Sequence, residues 1–332
     1  MPSVERTLEA PDVDARPLRA LVTAWIGKYG ALVFLVFLFV FFSIDANYFL
    51  TTSNLLEILN EAALSAIISC GMTIVLATNQ FDLSLGYNAS LSGIVVASLM
   101  SGGVPAPLAI GAALLVGLVI GMINGFLVTR VGVNALVATL GVGSSAVGVN
   151  YLISNGAAVT IPSLAFTQIS IGHWLAVPKD VYYMAVVAVV LWIVLNRTVL
   201  GRNIQAVGGN AEAARLAGIN VRRVTSSAFV IAGVAAALTG ILLTSIVGSG
   251  QPTGGDSYTL SAFAAAFLGT AVLHEGRFHI VGTVVGCVII AVGFNGLTLL
   301  GVVTYVQYLF SGLVLIAAVS ASSLARQLQR SA

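Results

Sequence analysis

The stretch Asn196–Arg223, NRTVLGRNIQAVGGNAEAARLAGINVRR, decides the architecture of this chain. It holds Arg197, Arg202, Arg215, Arg222 and Arg223, five of the 14 lysines and arginines, and it lies between two long apolar runs, Val181–Leu195 and Val224–Val247. A polar, basic island in so apolar a setting stands outside lipid, and short basic connectors stay on the cytoplasmic side of a membrane. Within the island, Ala211–Leu216 consists of good helix formers. Asn210, after Gly208-Gly209, is suited to cap that helix, and Gly218 to stop it. The stretch therefore predicts a short surface helix beneath a membrane domain. On its residues alone it reads first as an ordinary solvated connector.

Composition agrees with a membrane domain. The 332 residues are 58% hydrophobic and 8% charged, with a mean hydropathy of +1.03. A soluble domain carries about a quarter charged residues. So few charges cannot solvate the surface of a soluble protein this long, and the expected class is an all-α polytopic membrane protein. Cys70 and Cys287 fall within apolar runs with no histidine nearby in sequence, which predicts packing rather than a metal or redox site.

Working outward, the apolar runs give ten expected spans, 30–44, 55–79, 84–101, 107–129, 133–153, 181–196, 224–247, 258–273, 280–297 and 305–324. They are flanked by a polar tail (1–29) and a short basic tail (326–332), with the basic stretch 197–223 inside a membrane domain spanning 30–325. An even number of spans puts both termini on one side. With that side cytoplasmic, 13 of the 14 lysines and arginines lie inside and only Lys179 outside, a strong orientation signal. Spans 2–5 and 7–10 are candidates for an inverted repeat, on span count alone.

Several local features are weighed along the way. Glu57 and Glu61 share a helix face and are expected in water at the outer interface. Asp82 and Ser84 have the chemistry of a helix N-cap, in a break that either meets an interface or lines a polar cavity. Gly117, Gly121 and Gly125, every fourth residue, predict close helix packing. His274-Glu275-Gly276-Arg277-Phe278-His279 reads as a solvated inner turn rather than a metal site. The connector 154–180, with Pro162, Trp174 and Pro178, is expected on the periplasmic side.

No phosphate-binding loop occurs, since Lys28 and Lys179 are the only lysines and neither follows one. No ATP site of the chain's own and no cofactor are expected. The spans lack the paired acids and bases of a proton relay. They carry neutral polar groups instead, among them Asn60, Ser65, Ser69, Thr73, Asn124, Thr139, Asn150, Asn295, Thr298 and Gln307. Such groups hydrogen-bond hydroxyls without requiring a counter-charge. Asn79, Asp82, Ser84, Asn124 and Asn295 are the candidates for a translocation pathway.

Gly201–Ile219 (GRNIQAVGGNAEAARLAGI) resembles the cytoplasmic loop of permease subunits of binding-protein-dependent ABC importers, in the ribose/simple-sugar branch. Gly71–Gly86 (GMTIVLATNQFDLSLG) is similar to that family's GMT…GGIDLSVG, with Asn79-Gln80-Phe81 where Gly-Gly-Ile is usual. Val133–Gly143 resembles PxFIATLG, and Phe294–Val302 resembles NNGLNLLGV. HEGRFH stands where a glycine-rich turn is usual.

The resemblance implies a multi-pass protein of the bacterial inner membrane, a transport subunit and not an enzyme, that carries a simple sugar or polyol. It implies as partners ABC ATPase subunits, a periplasmic sugar-binding protein, a second permease subunit (homo- or heterodimer) and membrane lipid, with no nucleic acid. It also assigns Gly208, Gly209, Asn210, Ala213, Ala214, Arg215 and Gly218 to ATPase coupling. The alternatives are a permease for a nucleoside or branched-chain amino acid, a stand-alone secondary transporter or channel, and an intramembrane enzyme. The three histidines, all in connectors, argue against the last.

Overall fold

A chain in hydrocarbon satisfies its backbone groups internally, so its apolar runs close into helices. The computed structural model describes residues 15–272 and 276–331. In order, the helices are α1 (Ala15–Asp45), α2 (Thr52–Leu76), α3 (Leu85–Ser101), α4 (Ala106–Phe126) and α5 (Ala135–Ser154). They continue as α6 (Leu164–Thr167), α7 (Lys179–Arg197), α8 (Val199–Gly209), α9 (Ala211–Leu216) and α10 (Val221–Val247). The last three are α11 (Asp256–Gly269), α12 (Ile280–Leu299) and α13 (Thr304–Ser331), and α4 runs on into a π-helical turn, Leu127–Val131. Among the described residues, six stretches are long and apolar enough to cross a membrane: α2, α4 with its π-turn, α5, α7, α10 and α12. Shorter apolar helical segments cover Tyr29–Asp45, Leu85–Ser101 and Tyr305–Ser320.

Helix ends differ from expectation in a few places. α1 reaches back to Ala15, so residues 15–29 of the expected tail are helical, and Pro17 is tolerated in the first turn; residues 1–14 lie outside the described residues. α10 begins at Val221, which puts Arg222 and Arg223 in its first turn, and α13 continues to Ser331. The largest difference is α8, an 11-residue helix where a connector was expected. Its buried residues Gly201, Ile204 and Val207 recur at helical spacing. Gly208, which read as loop chemistry, lies inside it because a Cβ there would come within 2.9 Å of the Ala77 carbonyl carbon. α8 is thereby seated against the C-terminal end of α2.

α10 is the central helix and packs on α2, α3 and α4. The glycine stripe of α4 makes the expected close approach: a Cβ on Gly121 would stand 2.5 Å from the Phe229 carbonyl oxygen, and one on Gly125 2.9 Å from Ser226 Cα. α2 packs in turn on α10, α11 and α12. α3 meets α4, α5 and α11, while α11 meets α12 and α13; α4 touches α5, and α12 touches α13. Exchanging α2–α5 for α10–α13, in order, maps α2–α10 and α3–α11 onto themselves and each of the other pairs onto another.

The bundle has two distinct ends. At one, strand β1 (Val159–Thr160) of the connector after α5 pairs antiparallel with the strand Ser249–Gly250 that follows α10. A small hairpin, β2 (His173–Trp174) with β3 (Val177–Pro178), belongs to the same connector, and the strand after α10 is β4. At the opposite end α2 finishes, α10 starts, and α8 and α9 lie across them.

Candidate functional site

The basic end is built from local signals. The Thr198 hydroxyl accepts the Gly201 N–H at 3.1 Å and caps α8. The Asn210 side chain accepts the Ala213 N–H at 3.0 Å and caps α9. Gly218, at φ +84°, turns the chain toward α10, a conformation that costs glycine nothing. Arg215 pairs with Glu212, the one ion pair among the described residues, and that hydrogen bond raises the guanidinium pKa further. Ala214 sits differently from the docking face its place in the motif suggested. It is 5% exposed and belongs to the main core cluster, so it faces the permease's own interior. The outward side carries Glu212, Ala213, Arg215 and Leu216, with Leu216 80% exposed.

The break between α2 and α3 gathers three of the five pathway candidates. Asp82 is wholly buried. Its Oδ1 accepts the Ser84 backbone N–H at 2.9 Å and the Ser84 hydroxyl at 2.6 Å. Asn124 Nδ2 donates to Ser84 Oγ at 2.8 Å and lies 3.5 Å from both Asp82 oxygens. The Leu83 N–H reaches Thr139 Oγ1 at 3.1 Å. The cluster ties the start of α3 to α4 and α5. Asn79 takes the left-handed conformation at φ +59°, which Asn tolerates best after glycine, so its replacement of a usual glycine is backbone-compatible. Phe81 stacks on Phe263 of α11 with centroids 6.0 Å apart. Asn295 stands apart, 5% exposed.

His279 serves as a cap. Its Nδ1 accepts the Gly282 N–H at 3.0 Å and its Nε2 donates to the Val272 carbonyl at 2.7 Å, starting α12. His274 and Glu275 of the same turn lie outside the described residues.

A cavity of about 560 Å³ opens between α2, α11, α12 and α13. Hydroxyl and amide groups stand in its wall, Ser65 on α2, Ser257 and Ser261 on α11, Thr298 on α12, Gln307 and Ser311 on α13, among apolar side chains that include Leu243, Leu260, Ile290 and Ala291. Tyr258, Phe294 and Tyr308 add ring surface, and Glu61 is the one acid in the wall. Gln307 Nε2 donates to Thr298 Oγ1 at 2.9 Å. None of the five pathway candidates lines this cavity, whereas Ser65, Thr298 and Gln307 stood among the neutral polar groups of the spans. Glu61, expected at the interface, is a wall residue. Ser257 and Ser261 went unnoticed in the sequence, although their four-residue spacing puts both on one helix face. A polar seam continues from the cavity along α2 and α12. Ser65 and Cys287 approach at 4.0 Å, and one to two turns deeper Thr73 and Thr283 share a hydrogen bond of 2.6 Å.

The family described as "Branched-chain amino acid transport system / permease component" matches residues 54–319. The chain is 38% identical over 305 residues to the ribose import permease protein RbsC of Escherichia coli strain K12, covering 91% of this chain and 95% of that protein. It is 35% identical to the D-allose transport system permease protein AlsC of the same organism, over 88% of this chain and 90% of that one. It is 33% identical to the L-arabinose ABC transporter permease protein AraH of Azospirillum brasilense, over 95% and 94%. No solved structure matches the chain. With its apolar helices and these matches along nearly its whole length, the chain belongs to the ABC-importer permease family of RbsC, AlsC and AraH, as a multi-pass inner-membrane transport component and not an enzyme.

Proposed function

We propose that this chain forms the translocation pathway of an importer for a simple sugar or polyol, energised by ATP hydrolysis in a separate ATPase. The observation that carries the reading is the cavity: about 560 Å³, within the roughly 300–1,000 Å³ of small-molecule sites. The hydroxyl and amide groups in its wall, set among apolar side chains and rings, suit neutral solutes that present both hydroxyls and carbon faces. The names of the relatives, which carry ribose, allose and arabinose, support the same class.

In this reading α1–α5, α7 and α10–α13 are the ten spans, and both termini and the basic end are cytoplasmic. The paired packing of α2–α5 and α10–α13 supports an inverted repeat. The cavity lies where α2, α11 and α13 begin, at the end away from the basic island, and so receives solute from a periplasmic sugar-binding protein. The seam from Ser65 to Thr283 is the route onward. Residues 197–223 are the coupling loop, with α9 presenting Leu216 and Arg215 to the ATPase, and a second permease subunit completes the membrane assembly.

The test is ATP-dependent uptake of radiolabelled ribose, allose, arabinose and a polyol in vesicles carrying permease, ATPase and binding protein. Uptake of at least one is expected, with no ion gradient required. Uptake driven by a sodium or proton gradient without the ATPase would overturn the reading in favour of a secondary transporter.

A further inference from the structure

The π-helical turn that ends α4 brings Thr129 and Arg130 to a groove of about 510 Å³ shared with the first turns of α10. Arg222 and Arg223 line the same groove, and Leu200 of α8 closes it. Three guanidinium groups thus face one space. None has a hydrogen-bonded or ion-paired acceptor among the described residues, and Glu212 is already engaged by Arg215. The neighbouring hydroxyls are also occupied as donors, Thr129 to the Gly125 carbonyl at 2.7 Å and Ser227 to the Arg223 carbonyl at 2.8 Å. The arginine N–H groups are therefore the donors left to a ligand. Like charges so placed repel one another, and an anion between them relieves that repulsion.

The groove is not uniformly polar. Val230 and Ile231 form its deeper wall, about two helical turns beyond Arg223. A basic mouth over an apolar wall fits an amphiphile whose charged group is a planar or tetrahedral oxyanion, which guanidinium forks match well. We propose that this groove binds the phosphate headgroup of an anionic phospholipid, with an acyl chain along Val230 and Ile231, pinning the end of α4 to the start of α10. Its assignment to the cytoplasmic leaflet rests on the orientation proposed above. The binding itself does not, and can be read without transport. An acidic surface of a partner protein would suit the arginines but leave the apolar wall without an occupant.

The experiment measures lipid retained by the purified full-length permease, by native mass spectrometry, after equal exposure to phosphatidylglycerol or phosphatidylcholine. Phosphatidylglycerol is expected to be retained about tenfold more. Each arginine changed to glutamine, in R130Q, R222Q and R223Q, should weaken retention by about fivefold, the factor one cation contributes beside an anionic lipid. R222K/R223K should hold retention within a few-fold of the wild type. Added salt should weaken retention by the wild type through screening, a readout that stands even where an arginine variant does not fold. Equal retention of the two lipids, retention indifferent to both salt and arginine removal, or full displacement of phosphatidylglycerol by inorganic phosphate alone would overturn the proposal; the last would mark a free-anion site. Unchanged lipid retention in arginine variants that lose the ATPase would assign the groove to the partner protein instead.

Discussion

The backbone N–H of Gly86, in the first turn of α3, donates to Thr259 Oγ1 in the first turn of α11 at 2.9 Å. The bond is returned in kind, because the Gly255 N–H donates to Ser90 Oγ, also at 2.9 Å. At each helix start a glycine is followed four residues later by the hydroxyl that serves the other's glycine. The helix N-termini leave N–H groups without intrahelical partners, and here α3 and α11 each satisfy one for the other.

Thr259→Val and Ser90→Ala should therefore each destabilise the bundle by about 1–3 kcal/mol, the cost of leaving a buried donor unsatisfied. Thr259→Ser, which keeps the hydroxyl, should cost far less. Thermal unfolding in detergent checks this, and wild-type midpoints for Thr259→Val and Ser90→Ala together would show that the two bonds contribute nothing to the junction.

If the cavity receives a polyol, Glu61 accepts hydrogen bonds from its hydroxyls. Bonds to a charged group are worth roughly 1.5–3 kcal/mol, so Glu61→Leu should raise the half-saturating solute concentration for uptake by about 10- to 100-fold. Glu61→Gln should lie between that and the wild type. Uptake kinetics unchanged in Glu61→Leu would remove the cavity from the pathway.

The basic end allows two kinds of variant to be separated. Leu216→Asp and Arg215→Glu alter exposed groups, so the permease should fold normally while co-purification of the ATPase falls. Ala214→Trp acts inward: it overpacks a buried position, at about 1–3 kcal/mol, and should lower the stability of the isolated permease. A wild-type melting profile for Ala214→Trp would contradict the burial of that residue. Normal ATPase co-purification in both exposed variants would reduce α9 to a connector.

Orientation is tested by fusions. A reporter active only in the periplasm should work after Asn47 or within residues 161–177, and be silent after Arg130, Arg215 or Arg277. Activity from the Arg215 fusion would invert the whole topology.

What could be read in the sequence was local. Asn210, the Ala-rich run and Gly218 announce α9 because cap, propensity and stop lie within nine residues, and the α4 glycines announce a close neighbour by spacing alone. α8 was concealed because Gly208 reads as a loop signal until the Ala77 carbonyl is seen against it. The cavity was hidden for a related reason: Glu61, Ser261, Thr298 and Gln307 become one wall only when α2 meets the distant run α11–α13. Asp82 and Asn124 drew notice as polar residues in apolar surroundings, yet their bonds turn toward each other and Ser84. Gly86–Ser90 and Gly255–Thr259 share one spacing in the sequence, but two glycine–hydroxyl pairs carry no weight until their bonds are found to cross.

α10 begins under the Asn220 cap, runs without proline for 27 residues, and ends at Gly248 with φ +73°. At about 1.5 Å per residue it is a rod of roughly 40 Å, with the basic island at one tip and the β1–β4 strap at the other. A rod held this way acts as a lever. A tilt of about 5° about the island end swings the far tip by roughly 3.5 Å, close to the rise of one strand residue. Because the strap is bonded to that tip, the connector after α5 must travel with it or lose its pairing. A small rotation imposed at the basic island thus arrives at the opposite rim as a shift of register length.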